Sequence, residues 1–107
     1  MNGLNSILIE GKVDKDGVVY EENEKFCSFV LESQRVENKK ITTFGILVTA
    51  RGNLATNCNE KFNLSKFSKV RVVGRLANEY DDMINIIAEH VEFKPKTENK
   101  SGDDPIL

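Results

Sequence analysis

The chain has 107 residues, 39% of them hydrophobic and 30% charged, which is the size and composition of one ordinary globular domain. No apolar run approaches the roughly 20 residues that cross a bilayer, and residues 1–4 lack the basic stretch and apolar core of a secretion signal, so we expect a cytoplasmic protein. Cys27, Cys58 and the single His90 are too few for a disulfide scaffold or a zinc site, so both thiols are expected to be reduced and partly buried.

The charges are unevenly distributed along the chain. The net charge of −2 argues against a nucleic-acid partner, because proteins that bind nucleic acids are usually basic. The segment from Arg35 to Arg75, however, holds nine basic residues against two acids, a local balance of +7. Residues 10–24 and 79–92 hold most of the acids. The basic centre is either a solvated face or a surface for an anionic partner.

The predicted elements begin with a strand over 4–13, rich in Ile and Leu, which ends in a polar turn. Residues 18–20 either extend this strand or form a short partner. A second strand covers 26–31, and the polar connection 37–40 leads to a third strand over 41–48.

A short helix is predicted after Gly52, because Leu54, Cys58 and Phe62 recur at intervals of four and Asn53 is a suitable N-cap. A fourth strand over 70–76 and a fifth over 84–93 follow, joined by the short acidic loop 79–82. This order predicts an all-β protein, the five-stranded OB-fold Greek-key barrel with one short helix between its third and fourth strands. SH3-like barrels and other small five-stranded domains share the order, and a fold alone does not give a function.

Four segments resemble bacterial single-stranded-DNA-binding proteins. The first strand carries Asn5 and ends in Gly11-Lys12-Val13. Gly52-Asn53-Leu54-Ala55 is similar to the Gly-Lys-Leu-Ala that opens the helix of that family, with Asn53 in place of the usual Lys. Residues 70–76, which read Val-Arg-Val-Val-Gly-Arg-Leu, resemble its fourth strand, and residues 87–92 resemble its closing strand. The resemblance indicates a short-tailed member, with an OB-fold domain over 1–94 and a short flexible acidic tail over 95–107.

The resemblance implies a protein that binds and protects single-stranded DNA without strong sequence preference during replication, recombination and repair. It also implies a homotetramer in the cytoplasm, associated with the nucleoid, with a dimer as the alternative. No cofactor or metal is implied. One histidine and two unpaired cysteines offer no catalytic constellation, so we do not expect an enzyme.

Binding of single-stranded DNA needs cations for the phosphates and planar side chains for the bases. Lys69, Arg71 and Arg75 alternate along one strand and therefore share a face. Phe44 and Tyr80 match stacking aromatics of the family, but the chain has no Trp, so weaker binding than that of a typical member is expected. The predicted DNA-binding residues are Asn5, Lys12, Arg35, Lys39, Lys40, Phe44, Arg51, Lys69, Arg71, Arg75 and Tyr80.

The end of the sequence resembles the acidic tip with which the family recruits replication and repair proteins. Two acids precede two aliphatic residues, which suits a basic pocket beside an apolar one. The family usually places Pro next to last and Phe last, and this chain departs from both. The predicted partner-binding residues are Asp103, Asp104, Pro105, Ile106 and Leu107.

The absence of Trp also supports a second hypothesis. The chain would then be a primosomal-type OB-fold assembly or interaction factor that binds nucleic acid weakly and works beside a full single-strand binder.

Overall fold

The computed structural model describes residues 4–64, 67–80 and 82–95. Within these residues the chain forms one helix and six strands, with a single 3-10 turn after the first strand. The elements are β1 (Ile7–Val13), β2 (Val19–Glu21), β3 (Phe26–Glu37), β4 (Lys40–Arg51), α1 (Asn53–Leu64), β5 (Phe67–Tyr80) and β6 (Met83–Pro95). The predicted order of strands and helix is therefore confirmed, and residues 19–21 form a short separate strand rather than an extension of the first.

Five of the strands close into a barrel. The sheet runs in the order β1-β5-β6-β4-β3-β2, and β1 also pairs with β3 at Lys12↔Glu32 and Val13↔Leu31. This second pairing joins the two sides of the sheet and leaves β2 outside, on the edge of β3. All pairings are antiparallel except that between β4 and β6. The predicted OB-fold barrel is confirmed.

The observed strands are longer than the sequence pattern predicts. β3 and β4 each have 12 residues, because their pairing continues from Phe26↔Arg51 to Glu37↔Lys40 through polar positions. Hairpin pairing satisfies backbone hydrogen bonds whatever the side chains are, so polar composition was a poor guide to where these strands end. Glu79 and Tyr80, assigned above to a loop, belong to β5. The first strand begins at Ile7 rather than Leu4.

The barrel interior is filled by alternate strand residues and by one face of α1. Cys27, Phe29 and Leu31 of β3 point inwards and are buried, as are Val48 and Ala50 opposite them on β4. The helix contributes three buried residues, of which Cys58 and Phe62 were predicted, and the third is Ala55. Leu54, the other residue of the predicted row, is only partly buried. The chain therefore encloses one hydrophobic core, with α1 packed against β3, β4 and β6.

The turn from β4 into α1 depends on Gly52. Its φ of 69° lies in the left-handed region that favours glycine, and its N–H donates to the Lys25 carbonyl at 2.9 Å. Its carbonyl accepts from Ala55 N–H at 3.0 Å and from Thr56 N–H at 3.4 Å. These are the first bonds of the helix, so Gly52 occupies the cap position and the expectation that Asn53 is the N-cap is wrong by one residue.

Both cysteines are free thiols inside the core, where they are more deeply buried than expected. Burial raises the pKa of the Cys27 thiol to about 11. Burial, together with the nearby Cys27, raises the pKa of the Cys58 thiol to about 12. Both therefore stay protonated at neutral pH, a state in which a thiol is a poor nucleophile and a poor metal ligand.

Candidate nucleic-acid interface

The β3–β4 hairpin extends beyond the barrel as a two-stranded arm, which we define as residues 33–44. β1 and β2 pair with β3 only as far as Glu32, beyond which β4 is its single partner among the described residues, and residues 34–45 are all exposed. The arm ends in a tight turn at Asn38 and Lys39, whose φ values of 50° and 66° are both left-handed, as in a type I′ hairpin turn. Lys39 is therefore at the tip of the arm, and Lys40 is the first residue of β4.

One face of the arm carries an aromatic ring and two cations. Residues directly opposite in an antiparallel pair point to the same side, so the pairs Ser33↔Phe44, Arg35↔Thr42 and Glu37↔Lys40 share a face. This face continues the buried row of the barrel, but the core ends before it, and Phe44 is 50% exposed. Arg35 Nη2 lies 3.2 Å from Glu37 Oε2, an exposed pair that water screens strongly.

The opposite face of the arm carries an aliphatic pair. Val36 and Ile41 face each other across the two strands and are 67% and 66% exposed. A second aliphatic pair, Val30 and Leu47, lies on the same side on the outside of the barrel, and the pairs Gln34↔Thr43 and Glu32↔Gly45 separate the two. An alanine Cβ at Gly45 would lie 3.0 Å from Val30 Cγ1, so glycine at this position avoids a tight contact with the Val30 side chain. In OB folds, the second and third barrel strands, here β3 and β4, form the face that binds oligonucleotides.

The sequence analysis missed this aliphatic strip, which we define as Val30, Val36, Ile41 and Leu47. The sequence feature that could have shown it is the alternation of aliphatic and polar residues along β3 and β4 beyond the core positions. That alternation can be recognised only when the ends of both strands are known. Aliphatic side chains contact bases through dispersion, without the ring stacking that is worth roughly 1–3 kcal/mol per base.

Two predicted lysines flank a shallow groove beside the arm. Lys12 at the end of β1 and Lys69 at the start of β5 line it, with Gln34 and Val36 of the arm between them. The groove has a volume of about 260 Å³ and also contains Glu10 and Glu32. It therefore joins the aliphatic strip to a pair of cations, although two carboxylates reduce its positive potential.

Arg71 has carboxylates on both sides. It is directly opposite Glu10 on β1 and Glu92 on β6. Its Nη2 lies 3.2 Å from Glu10 Oε2, and its Nη1 lies 3.5 Å from Glu92 Oε1. Arg71 shares the outer face with Lys69 and Arg75, as predicted, but the acids on the neighbouring strands offset its charge.

Arg51, Arg75 and Tyr80 lie at the other end of the outer face. Arg51 ends β4 on the same side as Leu47, and its guanidinium carbon lies 5.6 Å from the centre of the Phe26 ring. Arg51 also donates two hydrogen bonds to the Glu79 carboxylate, at 3.1 and 3.3 Å. The Arg51 and Arg75 guanidiniums and the Asn85 side chain hold the pKa of Glu79 below its usual range, with the hydrogen bond from Arg51 as the largest cause.

Asn5 is held by the barrel backbone. Its Nδ2 donates to the Leu76 carbonyl at 2.9 Å, and its Oδ1 accepts from the Leu76 N–H at 3.0 Å. The side chain thus pairs with β5 in the way a strand residue would and positions the chain just before β1. Both polar groups of the Asn5 side chain are already occupied, which gives this residue a structural role.

We expect the Asn5→Ala substitution to lower the free energy of unfolding by about 1 kcal/mol, because two hydrogen bonds to Leu76 are lost. Affinity for oligo-dT should stay within about twofold of the parent value, because the amide nitrogen and oxygen of Asn5 both bond to Leu76 rather than to DNA. Urea denaturation and fluorescence anisotropy measure the two quantities. Ser6→Ala, at an exposed neighbouring position, is the control. A tenfold loss of affinity at unchanged stability would show instead that Asn5 contacts DNA.

The structure brings the predicted residues together in three groups and leaves one apart. The groups are the arm with Arg35, Lys39, Lys40 and Phe44, the groove with Lys12 and Lys69, beside which Arg71 contacts Glu10, and the far end with Arg51, Arg75 and Tyr80. Asn5 stands alone. The five predicted partner-binding residues, 103–107, lie outside the described residues.

The described residues hold no group of three or more His, Cys, Asp or Glu side chains arranged to bind a metal ion. Within the same ranges, no helix has the length and apolar character needed to span a membrane.

Three solved structures of single-stranded DNA-binding proteins are similar to this chain. A small single-stranded DNA-binding protein from Mycoplasma pneumoniae has a TM-score of 0.68 at 21% identity, covering 91% of this chain and 100% of that one. A small protein of the same description from Streptomyces coelicolor has a TM-score of 0.68 at 23% identity, over 88% and 95%. The second single-stranded DNA-binding protein of Mycobacterium smegmatis has a TM-score of 0.65 at 20% identity, over 83% and 87%.

No protein-family model matches the sequence, and no curated protein does. The predicted resemblance to single-stranded-DNA-binding proteins is therefore confirmed by structure, since the chain has the OB fold of these proteins over most of its length. With TM-scores of 0.65–0.68 at identities of only 20–23%, this similarity establishes the fold alone.

Proposed function

We propose that this protein binds single-stranded DNA without strong sequence preference, along the outer face of β3 and β4. The observation that carries the proposal is the continuity of that face. It runs from the Lys12 and Lys69 groove, over the aliphatic strip, to Arg51 and Arg75. Phosphates would meet the cations while bases lie on the strip. Of the two predicted stacking aromatics, Tyr80 follows Glu79 on β5, whereas Phe44 lies on the opposite face of the arm and would meet only a strand that wraps around it.

The cellular role and assembly belong to the same proposal. The protein would coat single-stranded DNA during replication, recombination and repair, as a homotetramer. Residues 103–107 would recruit partner proteins, since acids beside aliphatic residues suit a basic pocket with an apolar floor.

The test is titration of oligo-dT at two salt concentrations, followed by fluorescence anisotropy. Lys12, Lys39, Lys40 and Lys69 form no ion pair within the part of the chain that the structure describes. If each neutralises one phosphate, the salt slope is about −2.8, and raising the salt from about 50 to about 200 mM weakens binding about 50-fold. Changing Lys12 and Lys69 together to Gln should reduce the slope by about 1.4.

The matched control is Lys61→Gln on the exposed side of α1, which should leave the slope unchanged. No binding at the lower salt concentration, or binding that salt does not affect, would exclude the proposal.

The aliphatic strip supports one alternative function. Exposed Val and Ile side chains on adjacent strands form a surface suited to a protein partner, as an OB-fold assembly factor requires. A protein that fails to bind oligo-dT but loses a partner when Val36 and Ile41 are changed to Ser would be such a factor.

A further inference from the structure

The carboxylate of Glu79 is held by one arginine, Arg51, and a second arginine, Arg75, lies on the same strand as Glu79. Arg51 holds it in a two-pronged contact, with Nη1 at 3.1 Å from Oε2 and Nη2 at 3.3 Å from Oε1. Arg75 lies near enough to stabilise the same charge and to lower the pKa of Glu79. Both arginines were predicted to bind DNA, and Arg51 instead contacts an acid supplied by the protein.

The position of Glu79 is built into the β5–β6 hairpin. Ala77 pairs with Asn85 and Tyr80 pairs with Met83, so two residues of β5, Asn78 and Glu79, stand opposite one residue of β6. Such a bulge re-aims the side chains within it. Asn85, which is completely buried, accepts from the Glu79 N–H at 3.2 Å and donates to Glu79 Oε1 at 3.3 Å. The carboxylate is therefore held towards Arg51.

We propose that Glu79 occupies a phosphate-binding site formed by Arg51 and Arg75, and that a backbone phosphate of single-stranded DNA displaces it. The inference rests on the proposed function, and it identifies the Glu79 carboxylate as a group that lowers the affinity of the protein for single-stranded DNA. A guanidinium binds a carboxylate or a phosphate through the same pair of parallel N–H donors, so one anion can replace the other without moving Arg51.

The exposure of the pair permits this exchange. The Arg51 and Glu79 side chains are 49% and 33% exposed, so water and ligands reach them. Ion pairs at exposed positions contribute little net stability, so their separation costs little. The low pKa keeps Glu79 ionised at neutral pH, and the site is therefore masked whenever DNA is absent.

The test is the Glu79→Gln variant, titrated with oligo-dT by fluorescence anisotropy at two salt concentrations. The amide removes the charge but keeps an oxygen that can accept from Asn85. Affinity at low salt should rise about threefold to fivefold, the gain that loss of an exposed ion pair allows, because a phosphate no longer has to displace the Glu79 carboxylate from Arg51.

Two controls separate this inference from other effects. Glu89→Gln makes the same change in net charge at an exposed position of β6 that has no ion pair among the described residues, and it should alter affinity by less than about twofold. In an Arg51→Gln background, Glu79→Gln should have at most half of its effect, because one of the two arginines of the site is gone. Thermal unfolding confirms that each variant is folded.

The outcomes are distinct. Equal gains from Glu79→Gln and Glu89→Gln would reveal a general charge effect and overturn the inference while leaving the proposed function intact. An unchanged affinity in folded Glu79→Gln would overturn it in the same way. Absence of binding by the parent protein and all variants would overturn the proposed function and this inference with it.

Discussion

The Phe62→Ala variant should lose about 3–5 kcal/mol of unfolding free energy, the usual range for a buried phenylalanine. Phe62 is 1% exposed, and its ring meets three others edge to face, those of Phe29, Phe67 and Phe93, at centroid distances of 5.0, 5.6 and 5.0 Å. The ring joins α1 to three strands of the barrel. Removing the ring destabilises the fold in three ways: burial of the apolar side chain is lost, the aromatic contacts are lost, and a cavity remains.

Urea denaturation followed by far-ultraviolet circular dichroism measures this loss, since the chain has no Trp to report by fluorescence. Leu64→Ala is the matched control, because Leu64 lies two residues further along α1 and is 59% exposed. It should cost less than about 1 kcal/mol. Equal losses in the two variants would show that the four-ring cluster, made of Phe29, Phe62, Phe67 and Phe93, does not hold the helix on the barrel.

Gly74→Ala should destabilise the barrel by about 3 kcal/mol, at the upper end of the cost of over-packing. An alanine Cβ at this position would overlap the backbone carbonyl oxygen of Ile87 and come within 3.0 Å of Ile86 Cγ2. Gly74 pairs with Ala88 beside an irregular step in the β5–β6 register, where Val73 pairs with His90. Backbone atoms cannot rotate away as a side chain can, so β5 and β6 would have to separate.

The control is Gly17→Ala, in the 3-10 turn, where an added Cβ meets nothing within 4 Å. Its unfolding free energy should change by no more than about 0.5 kcal/mol. Failure of Gly74→Ala to fold agrees with the clash, whereas urea midpoints that match the parent protein would show that the β5–β6 pair relaxes at no cost.

Both effects concern the barrel, whereas binding at the proposed DNA-binding surface would depend on charge. The basic segment of the sequence, 35–75, predicts a positive groove. The fold, however, brings the acidic flanking segments back against it, so that Arg51 meets Glu79 and Arg71 meets Glu10 and Glu92. On the arm and in the groove, the cations without such partners in the described residues are Lys12, Lys39, Lys40 and Lys69. Weak binding with a modest salt slope follows from this distribution.

The position of Phe44 shows a second limit of sequence reasoning. Its place in the third predicted strand nominated it for base stacking, but the face it occupies depends on the register of β3 against β4. Ser33 stands opposite it, on the side that continues the core row, whereas the outer side of the same strands is aliphatic. A shift of one residue would exchange the two faces, and composition does not encode that difference.

The sequence by itself determined the order of strands and helix, the inward residues of α1 and the family that the chain resembles. Alternation and helical spacing are local patterns, and Cys58 and Phe62 are buried as their spacing predicted. Only the tertiary structure decided which acid meets which arginine and where Glu79 points. The contacts of Arg51 with Glu79 and of Arg71 with Glu92 and Glu10 join residues 21 to 61 positions apart and depend on strand register and on a bulge, which no local pattern records.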